Sequence, residues 1–77
     1  MRAAKEILDA QFLEMRWRCL SLAADLDRIQ RATGGSDLLQ SEPRLKLLKE
    51  AINTLLEPNQ DRAARVQTIF SDKTPPP

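Results

Sequence analysis

Few side chains in this chain of 77 residues could carry out chemistry. Histidine is absent and Cys19 is the only cysteine, which removes the commonest general base and every Ser-His or Cys-His nucleophile pair. Asp25 and Asp27 are close in sequence, but side chains two residues apart on a helix point in widely different directions and cannot share a proton. The sequence therefore predicts no catalytic residue, and we expect the chain not to be an enzyme.

Metal ions and cofactors are not expected either. One cysteine cannot build a thiolate zinc site, and a di-iron helical bundle needs a Glu-x-x-His motif that this chain lacks. The segment Thr33-Gly34-Gly35-Ser36 lacks the Gly-Lys-Ser/Thr that completes a phosphate-binding loop, and the termination of a helix explains its glycines. We predict no cofactor-binding residues and no metal ligands.

The composition is that of a small folded protein. The hydrophobic fraction of 42% is too high for a disordered chain, yet no apolar run approaches the ~20 residues of a membrane span. Charges at Arg2, Lys5 and Glu6 interrupt the stretch where a secretory signal would be apolar, and the lone Cys19 suits a reducing compartment. We expect a soluble, cytoplasmic protein that does not bind a membrane.

Glycine and proline divide the sequence into three expected helices. Gly34 suits the C-cap of the first helix, because that position needs a positive φ. Pro43 suits the first turn of the second helix, where its missing N–H is harmless, and Asn59 can cap the third. Leu38-Leu39 could form a short extra turn. We expect a single helical domain at 1–72, with helices at about 3–33, 42–57 and 60–71, and an extended or disordered Pro-rich tail at 73–77.

The first helix carries apolar side chains in steps of four and three, the spacing that keeps them on one side. We name this series the seam, and we expect it to form a core with apolar residues of the two shorter helices. The fold class is therefore all-α: a long N-terminal helix with two shorter helices folded back on it, as a helical hairpin or three-helix bundle. The predicted core consists of Leu8, Phe12, Met15, Cys19, Leu22, Leu26 and Ile29 of the seam, with Leu45, Leu48, Ile52, Leu55, Val66 and Phe70.

A second apolar series on the first helix comprises Leu13, Trp17, Leu20 and Ala24, and we name it the Trp17 patch. At ~100° per residue it lies roughly opposite the seam. Two short helices cannot easily cover both sides, and an exposed patch of this kind is an association site. We predict an interface there and a homodimer; the alternative is a closed monomeric three-helix bundle. Another protein is the other possible partner of the patch.

Basic side chains also recur along the chain and raise the alternative of nucleic-acid binding. Twelve basic residues stand against eleven acidic ones, for a net charge of +1, so there is no global attraction toward nucleic acid. The alternative function is a small nucleic-acid-binding regulator that uses the arginines of the first and third helices, and nucleic acid is the less favoured partner. The basic residues concerned are Arg16, Arg18, Arg28, Arg31, Arg44, Lys46, Lys49, Arg62 and Arg65.

Several segments resemble those of known proteins. They are Ile7-Leu8-Asp9, residues 22–29, Pro43-Arg44-Leu45 and residues 61–71, and together they are similar to short uncharacterised bacterial all-helical proteins. The likeness covers most of the chain. That group has no assigned activity to carry onto any residue, so the resemblance implies a bacterial origin only.

Overall fold

The structure is a computed structural model, and it describes residues 2–71. It confirms the all-α prediction, since the described residues form helices and no strand. A fourth helix is present where the sequence suggested at most a short turn at Leu38-Leu39. The predicted tail at 73–77 lies outside the described residues. In chain order the helices are α1 (Ala4–Arg31), α2 (Gly35–Ser41), α3 (Pro43–Leu56) and α4 (Arg62–Phe70).

The end of α1 is set by local backbone geometry. The helix stops at Arg31, because Ala32 is extended and its N–H binds the carbonyl of Ile29 at 3.2 Å. Gly34 has the expected positive φ, at 78°, but it lies in the turn toward α2 and not directly at the end of α1. Gly35 then opens α2 and is buried against the backbone carbonyl of Ile29.

The start of α3 follows the predicted use of proline. Pro43 occupies the first turn, and Glu42 is the N-cap, with its side chain accepting a hydrogen bond from the backbone N–H of Arg44. The guanidinium of Arg44 also binds Glu42, with 2.7 Å between Nε and Oε1. These hydrogen bonds lower the pKa of the Glu42 carboxyl below its ordinary value of 4.5.

The helix α4 begins later than the sequence suggested. Asp61, and not Asn59, is its N-cap, and Asp61 has a left-handed backbone conformation with φ 64°. The guanidinium of Arg62 turns back and donates to the carbonyl oxygen of Glu57, with 3.0 Å between Nε and that oxygen. The first turn of α4 is thereby fixed to the residue that follows α3.

Helices α3 and α4 contact each other, and the two buried residues of α3 have small side chains. Ala51 and Thr54 are buried, with 5% and 6% of their surface exposed, and they are three residues apart on one side of α3. Small residues at such positions let two helix backbones approach closely. The hydroxyl of Thr54 is satisfied within its own helix, where it donates to the carbonyl of Glu50 at 2.9 Å.

The chain groups into two compact units, one ending at Ser36 and the other beginning at Asp37. The expectations of a single domain and of shorter helices folded back on α1 stay predictions. None of the four helices combines the length and apolar character needed to cross a membrane.

Candidate association surface

The first two-thirds of α1 present large apolar side chains to solvent. Every residue from 2 to 20 is exposed in the single chain, and α1 contains no buried residue along its whole length. The exposed large apolar side chains of this stretch are Ile7, Leu8, Phe12, Leu13, Met15, Trp17 and Leu20.

The Trp17 patch contains the most exposed of these side chains. Leu13 is 78% exposed, Trp17 67% and Leu20 53%, while Ala24 is half-buried. Leu13 and Trp17, one helical turn apart, line a shallow surface depression of about 330 Å³ together with Glu14. The patch thus offers an apolar indole and two leucines, with a carboxylate at its edge.

The seam on the other side of α1 is exposed in its first part and half-buried in its last part. Its last three members, Leu22, Leu26 and Ile29, are half-buried. Its first four members, Leu8, Phe12, Met15 and Cys19, are exposed. The core role expected of these four side chains stays a prediction.

The predicted core residues on the shorter helices also divide into two groups. Leu45, Leu48, Ile52 and Val66 are half-buried, while Leu55 and Phe70 are exposed. The buried positions Ala51 and Thr54 were not among the predicted core residues. Their signal in the sequence is a pair of small residues three apart within an otherwise leucine-rich helix.

Charged side chains occupy the two flanks of α1 between the apolar series. On one flank Lys5 binds Asp9 at 2.8 Å. On the other flank Arg18 lies 3.7 Å from Glu14, and Arg28 binds Asp25. These exposed pairs contribute little to stability individually, but they keep both flanks polar and separate the seam from the Trp17 patch.

The side chains that this surface offers are mostly apolar or charged. Within residues 2–71 no three side chains of His, Cys, Asp or Glu are grouped so that they could hold a metal ion. Cys19 is a free thiol on the exposed seam. What α1 provides is exposed apolar area on two sides, bordered by charged side chains.

Comparison of this chain with protein-family models, with curated proteins and with solved structures gave no match in any of the three.

Proposed function

We propose that this chain is a non-enzymatic helical association module, which binds protein through the apolar sides of α1 and self-associates into at least a homodimer. The resemblance noted above favours a bacterial origin. The single thiol at Cys19 favours the cytoplasm, where a reducing environment keeps thiols free.

One observation carries this proposal, namely the exposure of Leu13, Trp17 and Leu20 on one side of a long helix. Monomeric proteins rarely leave large contiguous apolar patches in water, and those that exist commonly mark interaction sites. Burial of a leucine or an aromatic side chain contributes roughly 1.5–3 kcal/mol. Tryptophan is also the residue type most enriched among the side chains that dominate binding free energy.

The charges of the chain favour a protein partner over nucleic acid. Arg18 and Arg28 are paired with acidic side chains of the same helix, and Arg65 of α4 is paired with Glu57. A cation already beside a carboxylate contributes less to phosphate binding, which depends on releasing counterions from the nucleic acid. A nucleic-acid-binding regulator would instead bind duplex DNA with an affinity that falls steeply as salt rises.

The experiment is a measurement of native mass over a concentration series for the wild type and for Trp17→Arg. We expect the wild type to self-associate, and Trp17→Arg to form smaller assemblies at equal concentration, since a cation at the patch centre loses its solvation on burial. Arginine has at least the helix propensity of tryptophan, so α1 itself is preserved.

The matched control is Gln30→Arg, which adds the same charge to the same helix away from the patch. It is expected to associate as the wild type does. In the wild type the emission of Trp17 should also shift to shorter wavelength as the concentration rises. Identical masses for wild type and Trp17→Arg throughout the series would contradict a role for the Trp17 patch.

A further inference from the structure

The seam of α1 has the spacing of a coiled-coil heptad. In a heptad written abcdefg, the core positions are a and d. Phe12 and Cys19 occupy position a, and Leu8 and Met15 occupy position d. This numbering places Asp9 and Arg16 at the e positions beside the exposed part of the seam. The g positions beside it hold Gln11 and Arg18.

Charges at e and g positions select the relative direction of two helices. In a parallel pair, each g residue faces the e residue of the next heptad on the other helix. Gln11 would then face the partner's Arg16, and Arg18 would face the partner's Ala23, so no pair of opposite charges forms. In an antiparallel pair e faces e, which allows Asp9 to face the partner's Arg16.

The same charges select one antiparallel register. When Phe12 packs against the partner's Met15, Asp9 faces the partner's Arg16, and two-fold symmetry forms this pair twice. A shift of one heptad in one direction sets Asp9 against the partner's Asp9. A shift in the other direction sets Arg16 against the partner's Arg16. Both neighbouring registers therefore bring like charges together.

The partial burial of two seam residues disfavours a further register. A shift of two heptads pairs Arg18 with the partner's Asp25, which is favourable, but it needs Leu22 and Ile29 as core residues. Those side chains are already half-buried in the single chain. The register with Phe12 against the partner's Met15 uses the part of the seam that is exposed.

We propose that two copies of this chain pair antiparallel through the exposed seam, with Phe12 against the partner's Met15, Cys19 against the partner's Leu8, and Asp9 bonded to the partner's Arg16. The Lys5 ammonium contacts Oδ2 of Asp9, so the other carboxylate oxygen can accept from an arginine. This inference rests on the proposed self-association but uses the side of α1 opposite the Trp17 patch, which stays on the outside of the pair for a further chain.

Disulfide trapping tests the register, with Cys19 as a natural reporter. In the proposed pair, Cys19 is distant from the partner's Cys19, so the wild type should not form a disulfide dimer under oxidised glutathione. Leu8→Cys should form one efficiently, through two symmetric bonds between residues 8 and 19. A bond within one chain is impossible, because eleven residues of helix span ~16 Å and a disulfide needs Cα atoms within about 7 Å.

The matched control is Leu8→Cys combined with Cys19→Ser, which should not form a disulfide dimer. Efficient formation in the wild type would show a parallel pair, since Cys19 would then face the partner's Cys19, and it would overturn the proposal. Efficient formation of a disulfide dimer by the control variant would also overturn the proposal, since residue 8 would then face the partner's residue 8. Failure of Leu8→Cys to form a disulfide dimer at concentrations where the chain self-associates would also overturn it.

A charge exchange tests the orientation without an added cysteine. Asp9→Arg alone, or Arg16→Asp alone, should weaken dimerisation roughly tenfold, because two attractive pairs become repulsive. The double variant should recover most of the wild-type affinity. A parallel pair predicts no such recovery, since neither residue then faces a charge, and equal affinities for all four proteins would contradict the proposal.

These experiments test the Trp17 patch and the antiparallel pair independently of each other. If Trp17→Arg leaves the assembly mass unchanged while Leu8→Cys still forms its disulfide dimer, the Trp17 patch is wrong and the antiparallel pair stands. The opposite outcome is that Trp17→Arg reduces the assembly mass, Leu8→Cys forms no disulfide dimer and the double charge variant does not recover its affinity. The Trp17 patch is then supported and the antiparallel pair is wrong.

Discussion

Glu57 accepts a hydrogen bond from the guanidinium of Arg65, and this ion pair joins the residue after α3 to the second turn of α4. Both side chains are partly shielded, at 42% and 39% exposure. Arg62 also donates to the backbone carbonyl of Glu57. Glu57 therefore accepts hydrogen bonds from two arginines of α4. Together these contacts close the loop between α3 and α4.

The first prediction concerns this ion pair. Glu57→Gln keeps a hydrogen-bond acceptor but removes the charge, so we expect the α3–α4 hairpin to lose about 0.5–1 kcal/mol, the range of partly exposed pairs. Amide hydrogen exchange in Arg62–Phe70 should accelerate roughly twofold to fivefold. Glu50→Gln, the same chemical change on an exposed side chain of α3, is the control and should leave this exchange unaltered.

The second prediction concerns the close approach of α3 and α4. Ala51→Leu adds three carbons where only 5% of the residue is exposed, and overpacking of this kind costs about 1–3 kcal/mol. The secondary chemical shifts of Arg62–Phe70 should move toward random-coil values. Asn53→Leu adds a leucine to the exposed side of α3 and should not have this effect. Native shifts in the Ala51→Leu variant would mean that the two helices are not closely packed at this point.

The helical class and most helix ends could be predicted, because the residues that set them act locally. Pro43 fixes the start of α3, and Gly34 takes the positive φ that its lack of a Cβ allows. The helix α2 was not predicted as such, since seven residues are too few for a periodic pattern. Its first residue, Gly35, is buried against the carbonyl of Ile29, a contact that spacing alone does not reveal.

The residues that share a side of α1 could be predicted for the same reason, because that grouping depends only on helical geometry. What covers each residue depends on packing. Leu8 and Leu22 occupy equivalent positions of the seam, yet Leu8 is exposed and Leu22 half-buried. The small core at Ala51 and Thr54 was missed because large apolar side chains were expected to fill the interior, whereas close packing of backbones needs small ones.

A third prediction separates the roles of the two adjacent glycines. Gly35→Ala places a methyl group against the Ile29 carbonyl, where backbone must move to admit it, so the turn from α1 into α2 should be disrupted. The methyl group of Gly34→Ala has no neighbouring atom, but the backbone of residue 34 has a positive φ. An alanine in that conformation costs about 1–2 kcal/mol of backbone strain. Amide exchange in Gly35–Ser41 should therefore increase more in Gly35→Ala than in Gly34→Ala, and the reverse order would contradict the contact with Ile29.

The last prediction concerns the ionisation of Glu42 at the start of α3. The pKa of its carboxyl is lowered chiefly by the hydrogen bond from the Arg44 side chain, and next by that from the Arg44 backbone N–H. Because the folded pKa lies below the unfolded one, this N-cap stabilises α3 fully above the ordinary value of 4.5, and the stabilisation is lost as the pH falls through the folded pKa.

Carboxyl carbon chemical shifts followed over a pH titration measure this pKa directly. Arg44→Ala should raise the pKa of Glu42 only part of the way toward 4.5, since the backbone donor remains. Lys49→Ala removes a cation two turns further along α3 and should leave the pKa of Glu42 as it is in the wild type. An equal pKa in wild type and Arg44→Ala would show that the arginine side chain does not bind Glu42 in solution, and the start of α3 would then depend on Pro43 and the backbone hydrogen bond alone.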